Sequence, residues 1–146
     1  MAQSIAEETE RHIDFVEQFR TRPFIIRNRV DAISHAACTM AIDLDAKAIV
    51  VTSLSGLTVR MVSRFRPPIT IVGLATGRRA WYKLALSWGV LPLLTEQFPS
   101  IEVLYYYALR ASRDALGLDA GDTVVMTGGN TSGESGNTNV IRIETV

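Results

Sequence analysis

Ala48-Ile49-Val50-Val51 runs without interruption into Thr52-Ser53-Leu54-Ser55-Gly56-Leu57-Thr58, and this stretch decides the fold. The first four residues are apolar and mostly β-branched, the pattern of a short strand buried on both faces. The next seven are rich in hydroxyls and contain a glycine, so they form a turn. Thr58 to Arg66 then has helical character, and Pro67 and Pro68 stop it. A buried strand that feeds a helix through a short loop is the opening of a βα unit.

The same alternation continues in both directions. Downstream, Ile69-Thr70-Ile71-Val72 reads as a second strand, and Thr76 is placed to cap a helix through Arg79, Tyr82 and Leu86. Val90-Leu91-Pro92-Leu93-Leu94 is a third strand, with its proline expected near an end or a bulge. Ser100 to Leu116 is a long helix, and Gly117 suits the left-handed position after a helix end. Thr123 to Thr127 is a fourth strand. Gly128 to Thr138 is a glycine-, serine-, threonine- and asparagine-rich loop. Val140 to Val146 alternates apolar with polar, placing Arg142 and Glu144 on one face, as in an antiparallel edge strand.

Upstream, Ile5, Ile13, Val16 and Phe19 recur at near-helical spacing and mark an amphipathic helix ending before Pro23. A second helix starts at Asn28, a good N-cap, with Asp31 near its positive end. Ile33, Ala37, Met40 and Ala41 are its expected buried stripe. The result is one α/β domain over residues 1–146: three layers, α/β/α, around a five-stranded, mostly parallel sheet whose last strand is antiparallel.

Composition narrows the function. The 146 residues carry 15 basic and 15 acidic side chains, a formal net charge of zero. That lacks the basic excess of a nucleic-acid binder. No apolar run reaches membrane-span length, and Glu7, Glu8 and Glu10 are wrong for a targeting peptide. The single cysteine, Cys38, can form no internal disulfide, and the chain reads as cytoplasmic.

The loop after the first strand is the candidate binding site. Backbone N–H groups at a helix N-terminus attract anions, and hydroxyls from Thr52, Ser53, Ser55 and Thr58 can add donors, while Gly56 permits close approach. A turn that merely caps its helix has the same composition, so phosphate binding and simple capping both remain open here. Gly128 to Ser135 superficially resembles a nucleotide P-loop, but Glu134 stands where lysine is needed, and a carboxylate there repels phosphate. His35 and Cys38 share a helix face, yet their alanine-rich surroundings favour packing over nucleophilic chemistry. His12 lies in the first helix, and no metal-ligand spacing occurs in the sequence. Arg60, Arg64 and Arg66 read as a solvated face. Tyr105, Tyr106 and Tyr107 must point in several directions, with core packing or a subunit interface as their uses.

Three segments together resemble the C-terminal domain of pyruvate kinases. They are Thr52 to Thr58 followed by Arg64-Phe65-Arg66-Pro67; Leu84 to Pro92 with its Trp88-Gly89-Val90-Leu91-Pro92; and Gly121-Asp122 with Gly133-Glu134-Ser135-Gly136-Asn137-Thr138-Asn139. The resemblance covers nearly the whole chain, with the motifs in family order. It implies a non-catalytic regulatory domain of an enzyme that converts phosphoenolpyruvate and ADP to pyruvate and ATP. Magnesium and potassium belong to a catalytic barrel that 146 residues cannot contain, so no cofactor is expected in this domain. The resemblance further implies a phosphorylated effector held by Thr52, Ser53, Ser55, Gly56 and Thr58. A closing loop would supply Gly133, Ser135, Gly136, Thr138 and Asn139, and the domain would contribute to a homo-oligomer. A member that takes a sugar bisphosphate commonly carries a basic residue on the long helix, where this chain has a tyrosine of the Tyr105–Tyr107 group. Leu57 stands where many members have arginine or threonine. The first departure favours a sugar monophosphate or AMP over a bisphosphate, and the second removes one possible contact. The alternative is an oligomerisation module with no ligand.

Overall fold

The computed structural model describes residues 14–53, 55–129 and 138–146. Ile5, His12, Ile13, Leu54, Gly133, Glu134, Ser135 and Gly136 lie outside the described residues. Five helices are described: α1 (Phe15–Thr21), α2 (Arg29–Asp43), α3 (Leu57–Arg64), α4 (Arg78–Ala85) and α5 (Ile101–Leu116). Five strands are described: β1 (Ala48–Thr52), β2 (Thr70–Ala75), β3 (Val90–Leu94), β4 (Thr123–Gly128) and β5 (Val140–Thr145). They form one sheet in the order β3-β2-β1-β4-β5. Every pairing is parallel except β4 with β5.

β1 is the centre because its sequence can be nothing else. All five residues, Ala48 to Thr52, are buried, and alternation sends Ile49 and Val51 to one face and Ala48 and Val50 to the other. On the first face lie Phe19 of α1, Ala37, Cys38 and Ala41 of α2, Val59 and Val62 of α3, and Leu84 of α4. The second face is covered by α5 through Tyr105 and Ala108, over Val50, Val72, Leu74, Val124 and Met126. Gly73 is what lets two helices sit so close to β2. A Cβ there would lie 2.8 Å from Val59 Cγ1 and 3.1 Å from Leu84 Cδ1.

The helix ends follow local chemistry. The Asn28 side chain accepts from Asp31 N at 2.9 Å, and the Asp31 carboxylate accepts from Arg27 N at 3.1 Å, so both residues serve the start of α2. Gly117 ends α5 at φ 63°. Arg66 is left-handed at φ 50°, and Pro67 disfavours the right-handed helical region for it. α3 therefore stops at Arg64, two residues short of the expected end.

Three expectations need correction. Met40 is exposed and Ile33 only half-buried; the buried stripe of α2 is Val30, Ser34, Ala37, Cys38 and Ala41, and Met40 is turned to its flank. Gly77, in extended conformation, is the cap residue of α4 instead of Thr76, and its carbonyl accepts from Trp81 N at 2.9 Å. β2 runs on to Ala75, which shifts the helix start by one residue. Pro92 sits mid-strand, opposite Gly73. It is tolerated because β3 is an edge strand bonded only to β2, and its carbonyl accepts from Trp81 Nε1 at 3.2 Å. Among the described residues no helix is long and apolar enough to cross a membrane.

Candidate functional site

The strand order creates one special edge. The chain moves from β1 outward through β2 to β3, then crosses to the other side of β1 to make β4. The connections after β1 and β4 therefore diverge, which leaves a crevice beyond the C-terminal ends of these two strands. Thr52 and Gly128 are paired there, the last residues of their strands.

From this edge Ser53 leads into Gly56, the N-cap of α3, at φ 79° and ψ 3°. Only a residue without a Cβ takes that conformation at little cost. Ser53 Oγ accepts from Gly56 N at 3.1 Å, and Ser55 Oγ accepts from Leu57 N at 3.4 Å. Gly56 offers no side-chain cap, and the first turn of α3 has no acidic residue. α4 shares these features behind Gly77, whereas α1, α2 and α5 carry Glu17, Asp31 and Glu102 in their first turns. The positive end of α3 is thus left without a compensating carboxylate of its own, directed at the crevice.

Thr58 Oγ1 and Thr138 Oγ1 lie 2.6 Å apart and are buried. This bridge ties α3 to the chain entering β5, and Asn139 N donates to Gly128 O at 3.0 Å alongside it. When two hydroxyls share one hydrogen bond, the accepting one keeps its own proton free for a third oxygen. Thr52 differs from its neighbours. Alternation along β1 turns its side chain to the α5 face, where Oγ1 is buried without a hydrogen-bond partner. The structure thus groups Ser53, Ser55, Gly56, Thr58, Thr138 and Asn139 around the end of α3, with the Thr52 hydroxyl beneath the sheet edge.

The other candidates are structural. The His35 ring stacks on Phe19 at 4.9 Å between centroids and meets Phe24 and Phe65 at 5.4 Å each. Cys38 is buried, and desolvation pushes its thiol up to about 12, so it is no nucleophile. Arg66 lies over the Trp88 ring at 5.2 Å. Tyr105 is a core residue, whereas Tyr106 and Tyr107 are exposed. Among the described residues no group of three or more His, Cys, Asp or Glu can hold a metal.

Sequence reasoning named Thr52 and a tyrosine of the Tyr105–Tyr107 group near the ligand but missed Glu102 and Arg142, which join them at this edge. Tyr105 OH is buried beside the end of β4 near the Thr52 hydroxyl, with no close hydrogen-bond partner among the described residues, and a Cβ on Gly128 would lie 3.1 Å from it and 2.0 Å from Thr52 Oγ1. Burial pushes the Tyr105 phenol up, opposed by the nearby Arg142 charge and the Thr52 hydroxyl. Arg142 lies 4.8 Å above the Tyr105 ring and is paired with Glu102. For Arg142 the available signal was its alternation in β5; Glu102 gave none.

Residues 31–144 match the family described as pyruvate kinase, alpha/beta domain. The chain belongs to that family. It is 33% identical over 143 residues to a pyruvate kinase of Clostridium acetobutylicum, covering 97% of this chain and 30% of that protein. The match to a pyruvate kinase of Sporosarcina psychrophila is 32% identical, covering 97% of this chain and 24% of that protein. A pyruvate kinase 2 of Synechocystis is 37% identical over 116 residues, 80% of this chain and 20% of that protein. The chain therefore spans less than a third of the length of these pyruvate kinases. Its fold is the alpha/beta domain alone, and the catalytic barrel is not in it. The region matched to the pyruvate kinase domain includes both groups of side chains at the crevice, from Thr52 to Arg142.

Proposed function

We propose that this chain is the regulatory domain of a pyruvate kinase and binds a phosphorylated small molecule at the crevice between β1 and β4. The observation that carries the reading is the N-terminus of α3: capped by Gly56, free of acid in its first turn, and set at the switch point of the sheet. One phosphate fits there, taking backbone N–H groups of α3 and hydroxyls of Ser53, Ser55 and the Thr58–Thr138 pair. Gly133, Ser135, Gly136 and Asn139 belong to the segment that would close over the rest of the ligand. In this reading the parent protein transfers a phosphoryl group between phosphoenolpyruvate and ADP in the cytoplasm. Magnesium and potassium serve its barrel, and this domain carries no catalytic residue. A sugar monophosphate or AMP is favoured over a bisphosphate, because α5 presents Tyr105 to this edge where a basic side chain would be needed.

The test is thermal unfolding with and without fructose 1,6-bisphosphate, glucose 6-phosphate, ribose 5-phosphate and AMP. A ligand specific to the folded state adds about 2.7 kcal/mol at a hundredfold excess over its Kd. A rise in Tm with one monophosphate supports the reading; no rise with any of the four removes it. The second reading, a homo-oligomer module, is favoured by β5, an edge strand with Ile143 exposed, since a free edge pairs readily with another copy.

A further inference from the structure

Glu102, Tyr105 and Arg142 stand at the same edge of the sheet as the α3 N-terminus, on the opposite face. α5 connects β3 to β4, two parallel strands, so it runs back along the sheet and its first turn lies at their C-terminal ends. Tyr105 is one turn further on and only 2% exposed, with its hydroxyl against Gly128 and Thr52. Arg142 reaches over the Tyr105 ring from β5, at the register position of Met126, two residues from the end of β4. Both Glu102 carboxylate oxygens accept from the Arg142 guanidinium, Nη1 donating to Oε2 at 3.0 Å and Nη2 to Oε1.

We propose that Glu102 determines how many anionic groups the crevice accepts, an inference that rests on the phosphate reading above. A guanidinium bound end-on by a carboxylate has that fork filled and its charge neutralised, and offers a phosphate only its Nε edge. With Glu102 in place, the α5 side of the crevice presents a neutralised ion pair above two uncharged hydroxyls, those of Thr52 and Tyr105. The ligand then carries a single anionic group, held at α3, and a neutral, hydroxyl-bearing body toward α5. Without the Glu102 carboxylate, Arg142 becomes a cation with an open fork one aromatic ring away from the end of β4. It can then take a second phosphate. Tyr105 supports Arg142 through its ring face, and Gly128 keeps the corner clear of a side chain that would displace Thr52. Glu102 is thus a selectivity residue acting through Arg142.

The experiment measures Kd by calorimetry for fructose 6-phosphate and fructose 1,6-bisphosphate. It uses the chain as it stands, Glu102→Gln, and Glu102→Gln with Arg142→Gln. The Glu102 side chain is 68% exposed, so the first variant keeps the fold, which its melting curve checks. The unchanged chain is expected to bind the monophosphate at least as tightly as the bisphosphate. Glu102→Gln should move that preference toward the bisphosphate by about tenfold, the scale of one hydrogen-bonded charge contact. Adding Arg142→Gln should return it. An unmoved preference with monophosphate binding intact overturns this inference alone, as does a shift that survives loss of Arg142. Binding of neither sugar by any of the three proteins overturns this inference; the phosphate reading falls with it only if the thermal test also shows no rise with glucose 6-phosphate, ribose 5-phosphate or AMP.

Discussion

Thr58 shows how one side chain serves two purposes. Its hydroxyl is buried against that of Thr138, so Thr58→Val removes one hydrogen bond and leaves Thr138 without a buried partner. The expected cost is about 1–3 kcal/mol in chemical denaturation. If phosphate binds at α3, its affinity should also fall about tenfold or more; unchanged affinity would move the site elsewhere. Cys38 gives a pH-dependent prediction. Its thiol stays protonated up to about 12 in the folded chain, whereas an unfolded cysteine ionises near about 8.5. The unfolded state therefore releases the proton first, and stability declines as pH rises through that interval. A thiol reagent at about pH 8 should label Cys38 only in denaturant; rapid labelling of the native chain would contradict its burial. Glu102 behaves in the opposite sense. Arg142 holds its carboxyl below the usual range, chiefly by hydrogen bonding. Its contribution is present above that range and fades in acid, and Glu102→Gln should flatten the acid limb of a Tm-against-pH curve slightly.

At the scale of elements, two glycines decide how helices meet strands. Gly73→Ala places a methyl 2.8 Å from Val59 in a core where α3, α4 and β2 leave no slack, and should cost about 1–3 kcal/mol. Gly56→Ala must keep φ near 79° and pushes its methyl to 3.0 Å from Leu84 Cδ2. It should lose about 1–2 kcal/mol from the left-handed backbone, together with the mouth of the crevice. Equal melting curves for parent and variants would deny these contacts. A helix start was legible where a polar cap announces it, as at Asn28. It was less so where a glycine takes the position, as at Gly77, because glycine supplies no side-chain signal. Pro92 misled for a related reason: proline marks an edge strand equally well mid-strand, and only the sheet order shows that β3 is an edge.

At the scale of the whole molecule, β1, β2 and β4 are bonded on both sides, while β3 and β5 are bonded on one. Hydrogen exchange should therefore be slowest at Ile49 to Val51, Ile71 to Gly73 and Val124 to Met126, and faster along the outer edges of β3 and β5. Uniform protection of β5 in solution would instead indicate pairing with a second copy. Much of this architecture is written in the chain locally. Runs such as Ala48 to Val51 must be buried on both faces, proline and glycine must interrupt the helices between them, and an alternating last segment must lie at an edge. Those are properties of residues and their neighbours, and so is the hydroxyl-rich turn at the start of α3. What sequence alone did not determine is which distant groups share the end of the sheet. Thr58 meets Thr138 across 80 positions, and Arg142 reaches Glu102 across 40. The Thr52 hydroxyl lies by Tyr105 and not by the hydroxyl-rich turn that follows it. These pairings depend on strand order and on which face each side chain takes, and both are settled only when the helices pack on the assembled sheet.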